Sequence, residues 1–532
     1  MNNKNHLIFM GLILVLMVIP MTVLLSQPSR MIGGPRDEQA NAIVRSITLP
    51  NGGYVYVMAG WTKSFSPPPS YMKRALIVRT NQNGTPINNA VVSVGPQEEE
   101  ATSMARTLDN GYVVAGWTRS YSQTGTTSNA DIFVIKLNAN LALPPLWAKV
   151  YQMPYDQKAF SIISVSPSLN GGYALTGTHK MAGNASRIIV LRLFPDGNVN
   201  WLRTYSIKLN NTSIYNYNEG LSITEVSDTS APDVKFAVAG YAISATTRKD
   251  AFIMRLNING TNIKSDGTSM GANIFSGGSN VANHDEQASS VVWDGLVTQP
   301  GIVAAGWTSS RGNGTLNPPY YANVWAVKIK AANGTLIWAN GNGYVYQWQG
   351  GLERDDKVLG DKSLIVIPGN LGSGYAMSGL THSRGPNAAN VCPPNFLLIR
   401  LKYDGTLDWN GNVVTVHPSV IPNNRIDEAY GMVQSAAIPN LGNGFAVVGR
   451  SNSFTSPLNF NFLFTTFAWN GTRPIPPGCA VQYPMQCIPF PWTIKEVKWD
   501  SINISNIKRI DFKQYPVSSF PVCATLSPAP GK

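Results

Sequence analysis

One short stretch occurs seven times in this chain and limits what it can fold into. Its clearest copy reads Gly111-Tyr112-Val113-Val114-Ala115-Gly116-Trp117-Thr118-Arg119-Ser120. The pattern is a Gly, an aromatic, a few small or β-branched apolar residues, a second Gly, often a Trp, then Thr-x-Ser. The second Gly falls at Gly60, Gly116, Gly177, Gly240, Gly306, Gly379 and Gly449, at intervals of 56, 61, 63, 66, 73 and 70 residues. A regular period of this length means a repeat architecture. Each apolar run between its two Gly is too short for a helix and rich in β-formers, so it reads as a buried strand. The small residues before the closing Gly predict the close approach of a neighbouring backbone.

The rest of each repeat divides the same way. An acidic turn opens it (Asp37-Glu38-Gln39, Glu98-Glu99-Glu100, Asp156-Gln157, Glu219, Asp285-Glu286-Gln287, Asp355-Asp356, Asp427-Glu428), and a first strand follows. The motif strand and a long Ser/Pro/Asn-rich loop come next, then a third strand such as Asp131-Ile132-Phe133-Val134-Ile135-Lys136. Asn-Gly or Asp-Gly turns, which accept positive φ, lead to a fourth strand that often carries Trp (Trp147, Trp201, Trp338, Trp409). Four antiparallel strands repeated seven times predict an all-β chain, a seven-bladed β-propeller. Charged residues are only 13%, with 48 Gly and 36 Pro, which fits an all-β repeat better than a helical enzyme. The Gly-Gly-Tyr-Val-Val-Ala-Gly-Trp blade resembles propeller repeats of secreted and cell-surface bacterial and archaeal proteins. That resemblance implies a fold and leaves the activity open.

Three domains are expected: a leader over 1–29, the propeller over 30–472, and a Cys- and Pro-rich extension over 473–532. Repeat seven lacks a fourth strand, because Arg473-Pro474-Ile475-Pro476-Pro477 cannot feed a ladder. Arg30 to Asp37 aligns without gaps on Lys149 to Asp156, so the N-terminal strand is expected to complete blade seven and hide two sheet edges. The extension, with two strands near 492–499 and 507–512, reads as a small appendage. The uncharged run from Leu7 to Leu25 lies between the length of a signal peptide and that of a membrane span. A cleaved signal and an uncleaved N-terminal anchor remain alternatives, and either places the remainder extracellularly or on the cell surface.

No residues stand out as a catalytic site, and no metal or cofactor motif is present. The five His are not at zinc-ligand spacing. The net charge of +12 is spread along the chain with no basic run, which argues against nucleic acid. Cys479, Cys487, Cys392 and Cys523 are disulfide candidates, with Cys479–Cys487 as a short loop and Cys392–Cys523 as a pin on the extension. Nine sequons are glycosylation candidates: Asn83, Asn184, Asn210, Asn211, Asn259, Asn313, Asn333, Asn470 and Asn503. Several are Asn-Gly-Thr turns that turn chemistry alone would select. The acidic openings would ring one face, either as a cation or basic-partner site or as acceptors for turn amides. Recurrence in every repeat favours the amides, since a binding site breaks symmetry. Phe65, Tyr71, Tyr121, Tyr320 and Tyr321 lie in the long loops and are candidates for glycan or protein recognition. These readings converge on an extracellular binding or structural module. A polysaccharide-active enzyme is one alternative and would need carboxylates confined to one or two blades. A surface-layer or filament subunit is the other.

Overall fold

The computed structural model describes residues 30–46, 54–66, 71–87, 90–93, 95–121, 129–207, 216–243, 249–275, 285–295, 299–309, 321–338, 343–348, 355–369, 373–382, 395–408, 412–416, 426–438, 442–452, 459–468, 480–490, 493–495, 497–501, 506–508, 512–515 and 518–521. They form seven four-stranded antiparallel blades around one axis. Blade two is typical, with strands Glu99–Arg106, Tyr112–Thr118, Asp131–Leu137 and Trp147–Gln152, counted outward from the axis. Blade seven has only three strands from its own repeat. Its fourth is Arg30–Gly33, antiparallel to Asn461–Ala468. The N-terminus therefore closes the ring, as the alignment predicts.

The second and third strands are buried on both faces while the inner strands alternate in part, and the hydrophobic cores lie between blades. Among the described residues there are seven buried clusters, one for each pair of neighbouring blades, including the pair formed by blades seven and one. In that closing cluster Tyr56 and Met58 of blade one meet Val448, Phe462 and Phe464 of blade seven. A second lock lies outside these cores. The indole N–H groups of Trp147, Trp201 and Trp338 donate to the carbonyls of Pro195, Ile258 and Tyr403 in the next blade's turn, at 3.1, 3.0 and 2.7 Å. Tyr151, Tyr205 and Tyr346 donate to Gly197, Gly260 and Gly405 of the same turns, at 2.7, 2.6 and 2.8 Å. These three Gly take φ of 77°, 70° and 81° and lie flat against the indoles, where a side chain would collide. Trp338 precedes the fourth strand of blade five, Gly343–Trp348, instead of lying in it.

The expectation of a small appendage is corrected by the pairing of residues 480–521. Ala480–Phe490 pairs with blades five and six together. Thr493–Lys495 adds to blade four, Val497–Ser501 to blade three and Asn506–Lys508 to blade two. Phe512–Tyr515 adds to blade one and Ser518–Pro521 to blade seven. The extension thus runs a full lap around the rim and gives every blade an outer strand. The outermost strand of a blade presents unpaired N–H and C=O groups, and an extended chain can satisfy them whatever its side chains.

The leader lies outside the described residues, as do Cys392, Cys479 and Cys523. Cys487 lies in the strand Ala480–Phe490. Among the described residues no helix is long and apolar enough to cross a membrane.

Candidate functional site: the axial vestibule

The second Gly of the motif organises the axis. A Cβ at Gly60, Gly116, Gly177, Gly240, Gly306, Gly379 or Gly449 would overlap the carbonyl oxygen of Gln39, Glu100, Lys158, Glu219, Gln287, Lys357 or Glu428 on the inner strand. The inner strand bulges at this point, as the register shifts between Ala101 and Ser103 in blade two and between Ala159 and Ser161 in blade three show. The residue before each bulge and the bulged residue two places on flank the axis in blades one to four.

Three positions open each inner strand, and they have separate roles. The first staples blades together. Asp37, Asp156, Asp285 and Asp355 accept the amides of Phe460, Ala130, Lys249 and Ala322 in the preceding blade, at 3.2, 2.8, 3.0 and 2.9 Å. The second is buried. Glu38, Glu99 and Glu286 accept the motif Thr hydroxyls of Thr62, Thr118 and Thr308 at 2.9, 3.1 and 3.1 Å. Burial pushes the Glu38 carboxyl up to about 7, although Ser64, Thr62 and the Gly34 amide all donate to it. The first position thus accepts turn amides in these four blades, as the structural reading of the acidic openings has it, while the second accepts chiefly Thr hydroxyls. Among the described residues no three His, Cys, Asp or Glu converge as a metal would require.

The third position breaks the symmetry. Around the ring it is Gln39, Glu100, Lys158, Glu219, Gln287, Lys357 and Glu428. The bulged residue two places on varies as freely: Asn41, Thr102, Phe160, Leu221, Ser289 and Tyr430, with an insertion in blade six. Gln39, Glu100, Lys158 and Glu219 of the first set and all six residues of the second, with Trp117, Thr178 and Lys180 from the second strands, line a vestibule of about 430 Å³ on the axis. Glu100 accepts Lys73 at 2.9 Å and Asn41 at 3.2 Å. Burial raises the Glu219 carboxyl, against a hydrogen bond from Tyr241 and the nearby Lys249, Lys158 and Lys180. Glu428 accepts Tyr430 at 2.5 Å and Arg450 at 2.6 Å. Lys73 lies 4.3 Å from the Trp61 ring and Lys158 lies 4.2 Å from the Trp117 ring.

Blade six supplies the floor. Its inner strand is broken into Asp356–Lys357 and Leu364–Ile367, and the residues between them cross the axis. Ser103 Oγ donates to the Asp361 carboxylate at 2.7 Å. Ser222 and Ser290 donate to the Asp361 carbonyl at 3.2 and 2.7 Å. Lys362 lies 3.3 Å from the same carboxylate and also donates to the Ile162 carbonyl at 3.2 Å. Burial raises the Asp361 carboxyl, opposed by Lys362, Ser103 and Ser161. Each Ser in turn accepts an amide from the next blade, Ile162 on Ser103 at 3.1 Å and Val291 on Ser222 at 3.1 Å. Leu359, Gly360 and Asp361 of this insertion floor the vestibule.

The loop aromatics do not line this vestibule. Phe65 and Tyr121 pack against interblade cores, and Tyr71 carries the Arg36 guanidinium 3.2 Å from its ring centre. Tyr321 is half-buried, and Tyr320 lies outside the described residues. Among the sequons, Asn259 and Asn333 are exposed at turn tips, while Asn83 is half-buried in its turn. Asn184 ends a short 3-10 turn. Asn210, Asn211, Asn313, Asn470 and Asn503 lie outside the described residues.

Sequence reasoning grouped the third position with the acidic turn and read the residue after the second Gly only as part of the repeat motif. Its signal was the variation among Gln, Glu and Lys at one fixed place in the opening of each inner strand. The plug was visible as spacing: Glu99 precedes Ser103 and Glu286 precedes Ser290 by four places, but Asp356 precedes Ser363 by seven.

No family model matches the chain, and no curated protein matches it. Among solved structures it is similar to a fructan 1-exohydrolase IIa from Cichorium intybus in complex with 1-kestose. The likeness has 9% identity and a TM-score of 0.28 over 94% of this chain and 98% of that one. At that score it carries no argument.

Proposed function

We propose that this protein is an exported, cell-surface binding module that captures a glycan in the axial vestibule. The observation that carries the reading is the third position of the inner strands. The first two positions repeat because they hold blades together, whereas the third varies and lines a closed-ended pocket. Amide, carboxylate and ammonium groups alternate there beside Trp117, Phe160 and Tyr430. That mixture suits sugar hydroxyls and the apolar faces of pyranose rings. A flat protein partner would need a far larger surface, on the order of 800 Å² per side. The apolar run from Leu7 to Leu25 supports export, and if uncleaved it would hold the disc at a membrane. Probing a glycan array and a panel of extracellular proteins with the full chain tests this. Glycan hits support the reading; protein hits alone, or none, overturn it.

A second reading rests on Glu100 and Glu219. Carboxylates occupy the third position in only three blades, and these two line the same vestibule. Glu219 is held toward its protonated form and Glu100 is paired with Lys73, an arrangement that could cleave a glycosidic bond by acid and base. Release of reducing ends from a polysaccharide, abolished in Glu219→Gln, would establish it; binding without release would dismiss it.

A further inference from the structure

Blade three differs from its neighbours at the vestibule wall. Directly across the ladder, the third position faces the residue after the motif Gly. Blade two pairs Glu100 with Trp117, blade four pairs Glu219 with Tyr241 and blade seven pairs Glu428 with Arg450. Blade three pairs Lys158 with Thr178 and so has neither a carboxylate nor an aromatic at this pair. Lys180, two places beyond Thr178, lines the same wall.

Two further observations point to a missing anion. Thr178 is only 4% exposed, and its Oγ1 has no hydrogen-bond partner although it borders the vestibule. A buried hydroxyl left unpaired costs free energy, so a site of this kind expects an acceptor. Lys158 is half-buried over Trp117, and among the described residues no carboxylate lies within ion-pair distance of it. Burial, Arg119 and Lys180 act against its charge, while Glu100 and Asp156 favour it from beyond ion-pair distance. Lys180 reaches Asp156 at 3.2 Å but keeps its side chain 56% exposed. Two ammonium groups and one unpaired hydroxyl therefore line one wall, with the Glu219 carboxyl near both ammonium groups. The apolar side chains of Phe160 and Leu221 stand beside it.

We propose that this wall of blade three receives the carboxylate of an acidic sugar, a uronic acid unit of an anionic polysaccharide, through Lys158, Lys180 and Thr178. The inference rests on the vestibule being a glycan site and adds the chemical class. A sugar is favoured over a small anion because the remaining wall offers Gln39, Asn41 and Glu100 to hydroxyl groups and Phe160 to a ring face. It is favoured over an acidic peptide because the floored pocket offers a ring face and hydroxyl partners beside the lysines.

The test is calorimetric titration of the full-length protein with oligogalacturonate, with a neutral glucose oligomer of the same length, with a sulfated oligosaccharide and with polyglutamate. Oligogalacturonate is expected to bind, and more weakly as salt rises. Lys158→Met and Thr178→Val should each weaken it about tenfold or more, the loss of one charge-assisted contact or of one buried donor. Lys180→Met, at a mostly exposed side chain, should weaken it without disturbing the fold. It keeps the test valid if Lys158→Met unfolds. Equal binding of polyglutamate or of the sulfated oligomer would overturn the sugar carboxylate. Binding of the neutral oligomer alone, unchanged in Lys180→Met, would overturn this inference and leave the glycan reading standing. Failure of every sugar would overturn both.

Discussion

Glu38 sits where the ring closes, and its titration should be visible in the stability of the whole disc. It is fully buried. Its backbone N–H donates to the Phe460 carbonyl of blade seven at 2.7 Å. With its amide nitrogen turned inward, Asn461 donates to Glu38 Oε2 at 2.7 Å. Burial outweighs these donors and lifts the carboxyl from 4.5 to about 7. The folded state therefore holds the proton more tightly than the unfolded chain. The stabilisation is complete below pH 4.5 and is lost as pH rises through 7. The difference corresponds to about 3 kcal/mol. Glu38→Gln keeps the shape and cannot titrate. Urea unfolding followed by Trp fluorescence, run on both proteins from pH 4.5 to 8.5, isolates this group, because other titrations cancel in the difference. The free-energy gap between wild type and variant should move by about 3 kcal/mol across that range, with the wild type relatively weaker at high pH. A gap that stays constant would refute a buried, proton-holding Glu38.

Three further outcomes follow from the architecture. Gly116→Ala places a methyl group against the Glu100 carbonyl and should cost about 3 kcal/mol or more, read by chemical denaturation. Tyr205→Phe removes the hydroxyl that reaches Gly260 at 2.6 Å in a fully buried site and should cost about 1–3 kcal/mol without a cavity. Ending the chain before residue 480 bares the outer edge of every blade. The ring should still fold, and light scattering should show concentration-dependent association through those edges.

Much of the fold could be read from the chain because each blade repeats the same physical solution. Gly60 and its six equivalents mark a backbone contact that excludes any side chain, and a rule of that kind leaves a period. The alignment of Arg30 to Asp37 on Lys149 to Asp156 worked for the same reason: Asp37 and Asp156 perform one task, accepting an amide from the blade before. The vestibule was not legible in this way. Lys158, Glu219 and Asn41 matter because they differ from their equivalents, and a motif search discards differences. The belt of residues 480–521 was hidden for another reason. An added edge strand bonds through its backbone, so its sequence need carry no pattern beyond the ability to extend. The packing of Phe65 and Tyr121 against interblade cores was not legible, because a loop aromatic reads the same whether it packs inward or faces solvent.

The central claim is that ligand recognition lies on the axis, at the positions where the seven blades disagree. A glycan array probed with wild type, with a triple axial variant (Glu100→Gln, Lys158→Gln, Glu219→Gln) and with a rim variant (Tyr71→Ser, Tyr321→Ser) compares the two locations directly. The account predicts that the axial variant loses or changes the binding profile while the rim variant keeps it. A rim variant that loses the profile, with the axial variant unaltered, would contradict it.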